Sequence, residues 1–225
     1  MALFRNRIDA GKRLAVDLAG YAERADVVVL GLPRGGIPVA EQVAVGLGAT
    51  LDVFVVRKVG VPGHEELAMG AVASGGVRVV NREVLDDLAV DDETFRRAVE
   101  RERAEVERRE RRYRGDREPA ELADKIVILI DDGLATGASM HAAVEAVRVH
   151  RPARIVIAVP VASRAACDEL RSLADAVICA TTPEPFFAVG QWYEDFSPTT
   201  DDNVRQALAR HGRQEERLEP SAPNI

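Results

Sequence analysis

Five short, nearly uninterrupted apolar runs constrain the fold of this chain more than any other feature. Such runs are typical of strands that are covered on both faces of a parallel sheet. Segments with apolar residues at helical spacing separate them, and this alternation predicts a doubly wound, mostly parallel α/β sheet. The predicted strands are 26–32, 51–56, 125–130, 154–161 and 175–180, and the predicted helices are 7–20, 39–47, 138–150 and 163–173.

Other segments stand outside this alternation. Residues 60–70 (GVPGHEELAMG) contain glycines and a proline with little periodicity, which indicates a mobile loop, and 71–81 is typical of a hairpin. Residues 91–118 are dominated by Arg and Glu with opposite charges four residues apart, which predicts an inserted, solvated charged helix. We expect one domain over residues 1–210 and a flexible tail over 211–225.

The composition limits the classes of partner and compartment. Aromatic residues make up 4% of the 225 residues, so the core must be aliphatic, and a net charge of −7 argues against general nucleic-acid binding. No run approaches the roughly 18 apolar residues of a membrane span, and the N-terminus lacks the apolar region of a signal peptide. Cys167 and Cys179 have no CxxC spacing, so we expect reduced thiols in a cytoplasmic protein.

The stretch VILIDDGLATGASM (127–140) places two adjacent carboxylates, Asp131 and Asp132, at the end of a predicted buried strand. Ligands of open α/β sheets bind beyond such strand ends. The small residues that follow open a helix, whose free N–H groups and dipole can hold an anion. Because carboxylates accept hydrogen bonds from a diol, a phosphorylated sugar suits both features; alternatively, the aspartates only cap the turn and helix 138–150. The predicted phosphate loop comprises Ala135, Thr136, Gly137, Ala138 and Ser139.

Several competing motifs are absent from the sequence. It contains no GxxxxGK[ST] and no GxGxxG after the first strand, which argues against a P-loop and weakens a dinucleotide interpretation. HExxH and GxSxG are missing as well. The paired carboxylates and their small loop are therefore the strongest functional signal in the chain.

The residues IDDGLATGAS resemble the phosphoribosyl diphosphate (PRPP) signature of the type I phosphoribosyltransferases. The resemblance implies the doubly wound fold with a small hood. It also implies that Asp131 and Asp132 bind the ribose hydroxyls, directly or through Mg²⁺, and that residues 135–139 hold the 5′-phosphate. The partners implied are PRPP and a nitrogenous base.

Two further segments resemble family parts in the expected order. GLPRGG after the first strand is similar to the pyrophosphate loop, in which Arg34, Gly35 and Gly36 would face the diphosphate, although the glycines alone also suit a tight turn. VRK (56–58) resembles the start of the catalytic loop, so Arg57 and Lys58 would neutralise the leaving group; the alternative is an exposed strand end.

The motif departs from the 6-oxopurine members at Ala135, where those enzymes carry an aspartate that accepts a proton. The adenine-type pattern is closer, and there a glutamate near the mobile loop does the proton work. Glu65 and Glu66 are our candidates, with His64 as a further one. The missing acid also fits a second hypothesis, a regulator that binds PRPP or a nucleotide without turnover.

The only dense aromatic cluster lies in residues 183–196 (PEPFFAVGQWYEDF), within the candidate hood of residues 183–200. Its FFAVG resembles the segment of purine-type members in which a ring stacks on the base, so we predict a base-recognition hood. Phe187 is our choice for stacking, flanked by Trp192 and Tyr193. Closure of the sheet edge or a dimer contact would explain the cluster equally well, and we expect a homodimer.

Overall fold

The structure is a computed structural model that describes residues 2–218, and for Glu66 and residues 213–218 it describes the backbone alone. Five parallel strands form the central sheet in the order β2-β1-β6-β7-β8. The α/β sheet predicted from the apolar runs is thereby confirmed. Its strands are β1 (Val27–Gly31), β2 (Thr50–Val53), β6 (Ile126–Ile130), β7 (Arg154–Val161) and β8 (Ala176–Thr181).

Helices cover both faces of the sheet. Since successive residues of a strand point to opposite faces, each strand packs against helices on both sides. Val27 and Val29 pack with the helices α1, α2, α4 and α7, whereas Val28 and Leu30 pack with α5 and α6. The arrangement is doubly wound. The helices are α1 (Arg7–Asp17), α2 (Gly36–Leu47), α3 (Arg82–Asp87), α4 (Asp92–Arg114), α5 (Ala138–Val149), α6 (Arg164–Leu170) and α7 (Asp201–Leu218).

A second, antiparallel sheet of three strands, which we call the ribbon, comprises β3 (Val56–Val61), β4 (His64–Ala73) and β5 (Val77–Val80). The apolar run 51–56 therefore divides between two sheets, and the predicted mobile loop at 60–70 is wrong. Register shifts on either side of Gly60 interrupt the alternation by which a strand is recognised. The predicted hairpin at 71–81 is confirmed by the β4–β5 pairing.

The predicted charged helix is confirmed as α4, but it is solvated on one face only. On its inner face Phe95, Val99 and Val106 are buried, while on its exposed face Glu93 pairs with Arg97. Toward its C-terminus, Arg114 donates to buried Asp52 at 3.1 Å and fastens the helix to β2. The insertion thus belongs to the core.

The C-terminal tail, the two cysteines and the lengths of the helices can also be compared with what the sequence led us to expect. α7 continues to Leu218, so the flexible tail predicted from residue 211 is helical that far, and residues 219–225 lie outside the described part. Cys167 and Cys179 form a disulfide, which contradicts the predicted reduced thiols; the packing of α6 on β8 brings their Cα atoms to 6.7 Å. Among the helices of residues 2–218, none has the length and apolar composition needed to cross a membrane.

Candidate active site

The candidate site lies where the order of the strands reverses. From β1 the chain passes to β2 on one side and later to β6 on the other, so the loops after β1 and β6 are neighbours. The Leu32 N–H donates to the Ile130 carbonyl at 2.8 Å, which ties the two loops together. We call residues 32–36 and 131–139 the rim; α2 and α5 begin there, and both direct their N-termini to the same place.

The glycines of the predicted pyrophosphate loop pack directly on the acid pair. A Cβ atom on Gly35 would lie 2.7 Å from the Asp132 Cγ, and one on Gly36 would lie 2.8 Å from the Asp131 Cα. Only glycine permits this approach. Within residues 2–218 the Arg34 and Gly35 N–H groups have no acceptor, whereas the Gly36 N–H donates to the Leu32 carbonyl. Two of the three predicted main-chain donors are thus available to an anion.

The two carboxylates of the pair have different surroundings. Asp131 is half-buried, and its Oδ1 accepts a hydrogen bond from the Asp132 N–H at 2.8 Å. Burial, followed by the charge of Asp132, raises the pKa of Asp131 well above its usual value. Within the described residues its side chain accepts no other hydrogen bond, so it can accept one from a ligand.

Asp132, by contrast, is already engaged. Arg7, the first residue of α1, donates from Nε to its Oδ2 at 2.7 Å, and both side chains are largely buried, at 11% and 14% exposure. Burial raises the pKa of Asp132, and the Arg7 guanidinium opposes that rise. The two acids therefore have different partners, and their predicted binding of the ribose hydroxyls stays a prediction.

Arg7 also joins the acid pair to residues 183–200, the hood. Its guanidinium lies 3.8 Å from the centre of the Phe196 ring and donates to the Ser197 carbonyl at 2.9 Å. Tyr193 donates its hydroxyl to the Asp132 carbonyl at 2.6 Å. Two contacts therefore anchor the hood to the acid pair, one through the Arg7 guanidinium and one through the Tyr193 hydroxyl.

The predicted phosphate loop has the geometry of an anion site. Gly137, at a φ of 72°, turns the chain into α5, while Thr136 and Ser139 are exposed at the first turn. The Ser163 hydroxyl donates to the Ala135 carbonyl at 2.7 Å and supports the loop from below. The orphan N–H groups of a helix start are therefore presented on a fixed frame.

The ribbon separates the two predicted catalytic cations. Lys58 is exposed and lines a cavity of about 460 Å³ together with Thr136 and Ala138. Its neighbour Arg57 points to the opposite face, where it donates to Glu102 of α4 at 2.8 Å. Lys58 therefore borders the predicted phosphate loop, whereas Arg57 faces α4, and a joint role of the two cations at the leaving group stays a prediction.

Arg34 lies among charges that the sequence did not connect to it. Its Nη1 is 3.6 Å from the Oδ1 of Asp201, at the start of α7. Asp201 also accepts a hydrogen bond from the Tyr113 hydroxyl and forms an ion pair with Arg112, both at 2.9 Å. The α4 insertion thus adds positive charge close to the pyrophosphate loop.

The proton-handling candidates lie at the turn between β3 and β4. Glu65 is exposed there, and hydrogen bonds from its own N–H and that of Gly63 lower its pKa, which makes it a weaker base. His64 is exposed as well. The side chain of Glu66 lies outside the described part of the structure, so its assignment stays a prediction.

The aromatic candidates of the hood occupy three different environments. Phe187 is 81% exposed and can offer its face to a base. The Trp192 ring packs against Phe186, with the ring centres 6.2 Å apart, and Tyr193 is buried against the acid pair. Phe187 alone has the accessibility that stacking requires, and its role stays a prediction.

Sequence reasoning missed Arg7 and Asp201. A single arginine in an amphipathic helix carries no local signal of its partner, which lies 125 residues away. For Asp201 a signal existed, because Val204, Ala207 and Leu208 are buried at helical spacing and mark the helix that it begins. Among residues 2–218, no cluster of three or more His, Cys, Asp or Glu side chains could hold a metal ion.

Known proteins resemble this chain over most of its length. The family model of the phosphoribosyl transferase domain matches residues 2–195. Two Mycobacterium tuberculosis proteins, both named "Putative phosphoribosyl transferase", are 45% identical over 213 residues. The match covers 95% of this chain and 48% of theirs, so the chain spans about half the length of these curated relatives.

Two solved structures share the fold. The crystal structure of TT1426 from Thermus thermophilus matches with a TM-score of 0.84 and 44% identity, over 93% of this chain and 99% of that one. AQ2163 from Aquifex aeolicus matches with a TM-score of 0.52 and 12% identity, over 90% of this chain and 84% of that one, which shows likeness of fold alone.

Proposed function

The chain belongs to the phosphoribosyl transferase domain family, and on that premise we propose that it transfers the ribose 5-phosphate of PRPP to a nitrogenous base of purine type, releasing pyrophosphate. The packing of Gly35 and Gly36 on the acid pair is the observation that carries the proposal. This packing supports a site in which main-chain donors for a diphosphate lie beside Asp131, the carboxylate that we propose to accept hydrogen bonds from the diol. PRPP carries a phosphate and a diphosphate on either side of its diol.

In the proposed reaction the bond between ribose C1 and the diphosphate oxygen breaks, and the electron pair leaves with the oxygen. A nitrogen of the base forms the new bond to C1 and gives up a proton, for which the carboxylates of Glu65 and Glu66 are the candidate acceptors. Negative charge grows on the diphosphate, where the Arg34 and Gly35 N–H groups and the Arg34 guanidinium stabilise it. Lys58 adds positive charge from the ribbon, where it lines a cavity with Thr136 and Ala138 of the predicted phosphate loop.

Mg²⁺ is the cation that we propose to accompany PRPP. Asp131 suits it, because a half-buried carboxylate with acceptor capacity left is the hard oxygen ligand that this ion prefers. When bound with the diphosphate, the ion would neutralise part of the leaving group's charge. Asp132 does not suit the same role, since Arg7 already pairs with it.

A second function is favoured by one specific feature of the site. The position of the proton-accepting aspartate is occupied by Ala135, and the lowered pKa of Glu65 makes that residue a weak substitute. A site without an effective proton acceptor is what we would expect of a protein that binds PRPP or a nucleotide without turnover. It would use the rim in the same way but would release no pyrophosphate.

Base-dependent release of pyrophosphate from PRPP with Mg²⁺ separates the two functions. We expect release with at least one purine-type base, and none from an Asp131→Asn variant used as the control. PRPP binding by calorimetry without release across a panel of bases would establish the regulator instead. Absence of both binding and release would refute the proposal.

Two expectations from the sequence, a homodimer and a cytoplasmic location, stay predictions. Light scattering of the purified chain tests the first, and fractionation of cells that express it tests the second.

A further inference from the structure

Arg7 holds a position at the acid pair that none of the sequence motifs assigned. The shell around Asp132 is closed on two sides. Arg7 pairs with its Oδ2 at 2.7 Å, and the main chain of Gly35 covers the carboxylate so closely that a Cβ atom there would lie 2.7 Å from its Cγ. A metal ion could reach the Oδ2 of Asp132 only by displacing Arg7.

The arginine is itself held in place by several contacts. Its guanidinium stacks at 3.8 Å on the centre of the Phe196 ring, and a second nitrogen donates to the Ser197 carbonyl at 2.9 Å. A guanidinium fixed by stacking and by hydrogen bonds is a permanent positive charge of defined position. Asp131, the neighbouring acid, has no such cation within hydrogen-bond distance in the described residues.

We propose that Arg7 takes the place of a metal ion at Asp132, so that Asp131 alone of the pair meets the sugar diphosphate and its divalent cation. The inference deepens the proposed function and rests on it for the identity of the ligand. A paired carboxylate attracts a second cation weakly, because the guanidinium has already neutralised it. The site would accordingly bind one divalent cation at the acid pair.

A purely structural role for Arg7 predicts something different. If the arginine only anchored the hood, its removal would loosen residues 183–200 without changing the affinity of the acid pair for metal. If it replaces a metal ion, its removal should leave two adjacent carboxylates free and create a metal site that the natural chain lacks. Metal binding by the free protein therefore separates the two roles.

The experiment titrates Mn²⁺ alone into the full chain, with free Mn²⁺ followed by electron paramagnetic resonance. We expect Arg7→Met to bind Mn²⁺ about tenfold more tightly than the unmodified chain, because two uncompensated carboxylates attract the ion. Adding Asp132→Asn to that variant should abolish the gain. The inference is overturned if folded Arg7→Met binds Mn²⁺ no more tightly than the unmodified chain.

Arg13→Met provides a matched control. Arg13 lies on the same helix, stacks at 4.9 Å on the Phe4 ring and donates to the Leu3 carbonyl at 2.8 Å, away from the acid pair. We expect no change in Mn²⁺ affinity from it. An equal gain in Arg13→Met would show that the effect comes from loosening α1 and would overturn the inference.

A second measurement keeps the inference testable if Arg7→Met does not fold. Calorimetry of PRPP with Mg²⁺ compares Asp132→Asn with Asp131→Asn in the otherwise unmodified chain. We expect Asp132→Asn to retain PRPP affinity within about threefold and Asp131→Asn to lose about 100-fold. Equal losses would overturn the inference. Failure of the unmodified chain to bind PRPP would refute the proposed function, while the Mn²⁺ titration would still decide the role of Arg7.

Discussion

The rim and the ribbon both border the candidate site, but their side chains reach it by different routes. On the rim, Asp131 and residues 135–139 directly follow a buried strand, and any chain with that local order would present them at the sheet edge. On the ribbon, alternate residues point to opposite faces, so Arg57 and Lys58 are adjacent in sequence and separated in space. The difference shows that a sequence motif is sufficient to locate a loop. For a residue in a strand, one must also know to which face of the sheet its side chain points.

The largest effect should distinguish the two faces of the ribbon. We expect Lys58→Met to lower kcat for pyrophosphate release by about 100-fold, because a positive charge that stabilises the departing diphosphate is lost. The free energy of unfolding should hardly change, since Lys58 is exposed. Steady-state kinetics and urea unfolding measure the two quantities.

Arg57→Met is the matched substitution on the opposite face. It should leave kcat within about twofold but destabilise the chain by about 1 kcal/mol. Glu102 would lose one of its two arginine partners, and Arg101 would remain at 3.0 Å. If Arg57→Met instead lowered kcat as much as Lys58→Met, the ribbon would have to rearrange during the reaction.

On the rim, Asp131→Asn should separate binding from stability. PRPP affinity should fall about 100-fold, because a charge-assisted acceptor for the ribose or its cation is lost. Thermal unfolding of the free variant should nevertheless occur at a higher temperature. Burial raises the pKa of Asp131 in the folded chain, so the charged carboxylate costs stability at neutral pH.

The pH dependence of the free protein follows from the same shift. The folded chain binds the Asp131 proton more tightly than the unfolded chain does, so this residue's contribution to stability should rise as the pH falls through its raised pKa. The difference in unfolding temperature between Asp131→Asn and the natural chain should therefore shrink toward acid pH. A constant difference would mean that Asp131 titrates normally.

The features that the sequence predicted are formed by residues that lie close together in the chain. The strand, the acid pair and the small residues of 135–139 form one uninterrupted stretch, and hydrophobicity together with the phosphate motif was sufficient to place them. The Arg7–Asp132 pair joins residues 125 positions apart, and no periodicity encodes such a contact. Tyr193 shows the same limit: its aromatic surroundings indicated a residue flanking the base, and its hydroxyl instead donates to the Asp132 carbonyl.

Gly35→Ala should test whether the rim is as closely packed as its glycines indicate. The added Cβ would lie 2.7 Å from the Asp132 Cγ, so we expect a loss of about 2 kcal/mol in stability and a rise of about tenfold in the KM for PRPP. Gly20→Ala is the control, because a Cβ there meets no atom within 4 Å. Equal behaviour of the two variants would contradict the close packing of the loop on the acid pair.

The smallest effect concerns the hood, where two aromatic residues offer a comparison like that of the ribbon. Phe187 is exposed, so Phe187→Ala should leave the unfolding temperature unchanged while raising the KM for the base about fivefold through lost stacking. Tyr193→Phe should instead remove the hydrogen bond to the Asp132 carbonyl and cost about 1 kcal/mol of stability. Kinetics at varied base concentration, together with thermal unfolding, measure both variants. If Phe187→Ala left the KM unchanged, the base would have to be recognised elsewhere, because Tyr193 is buried and Trp192 packs against Phe186.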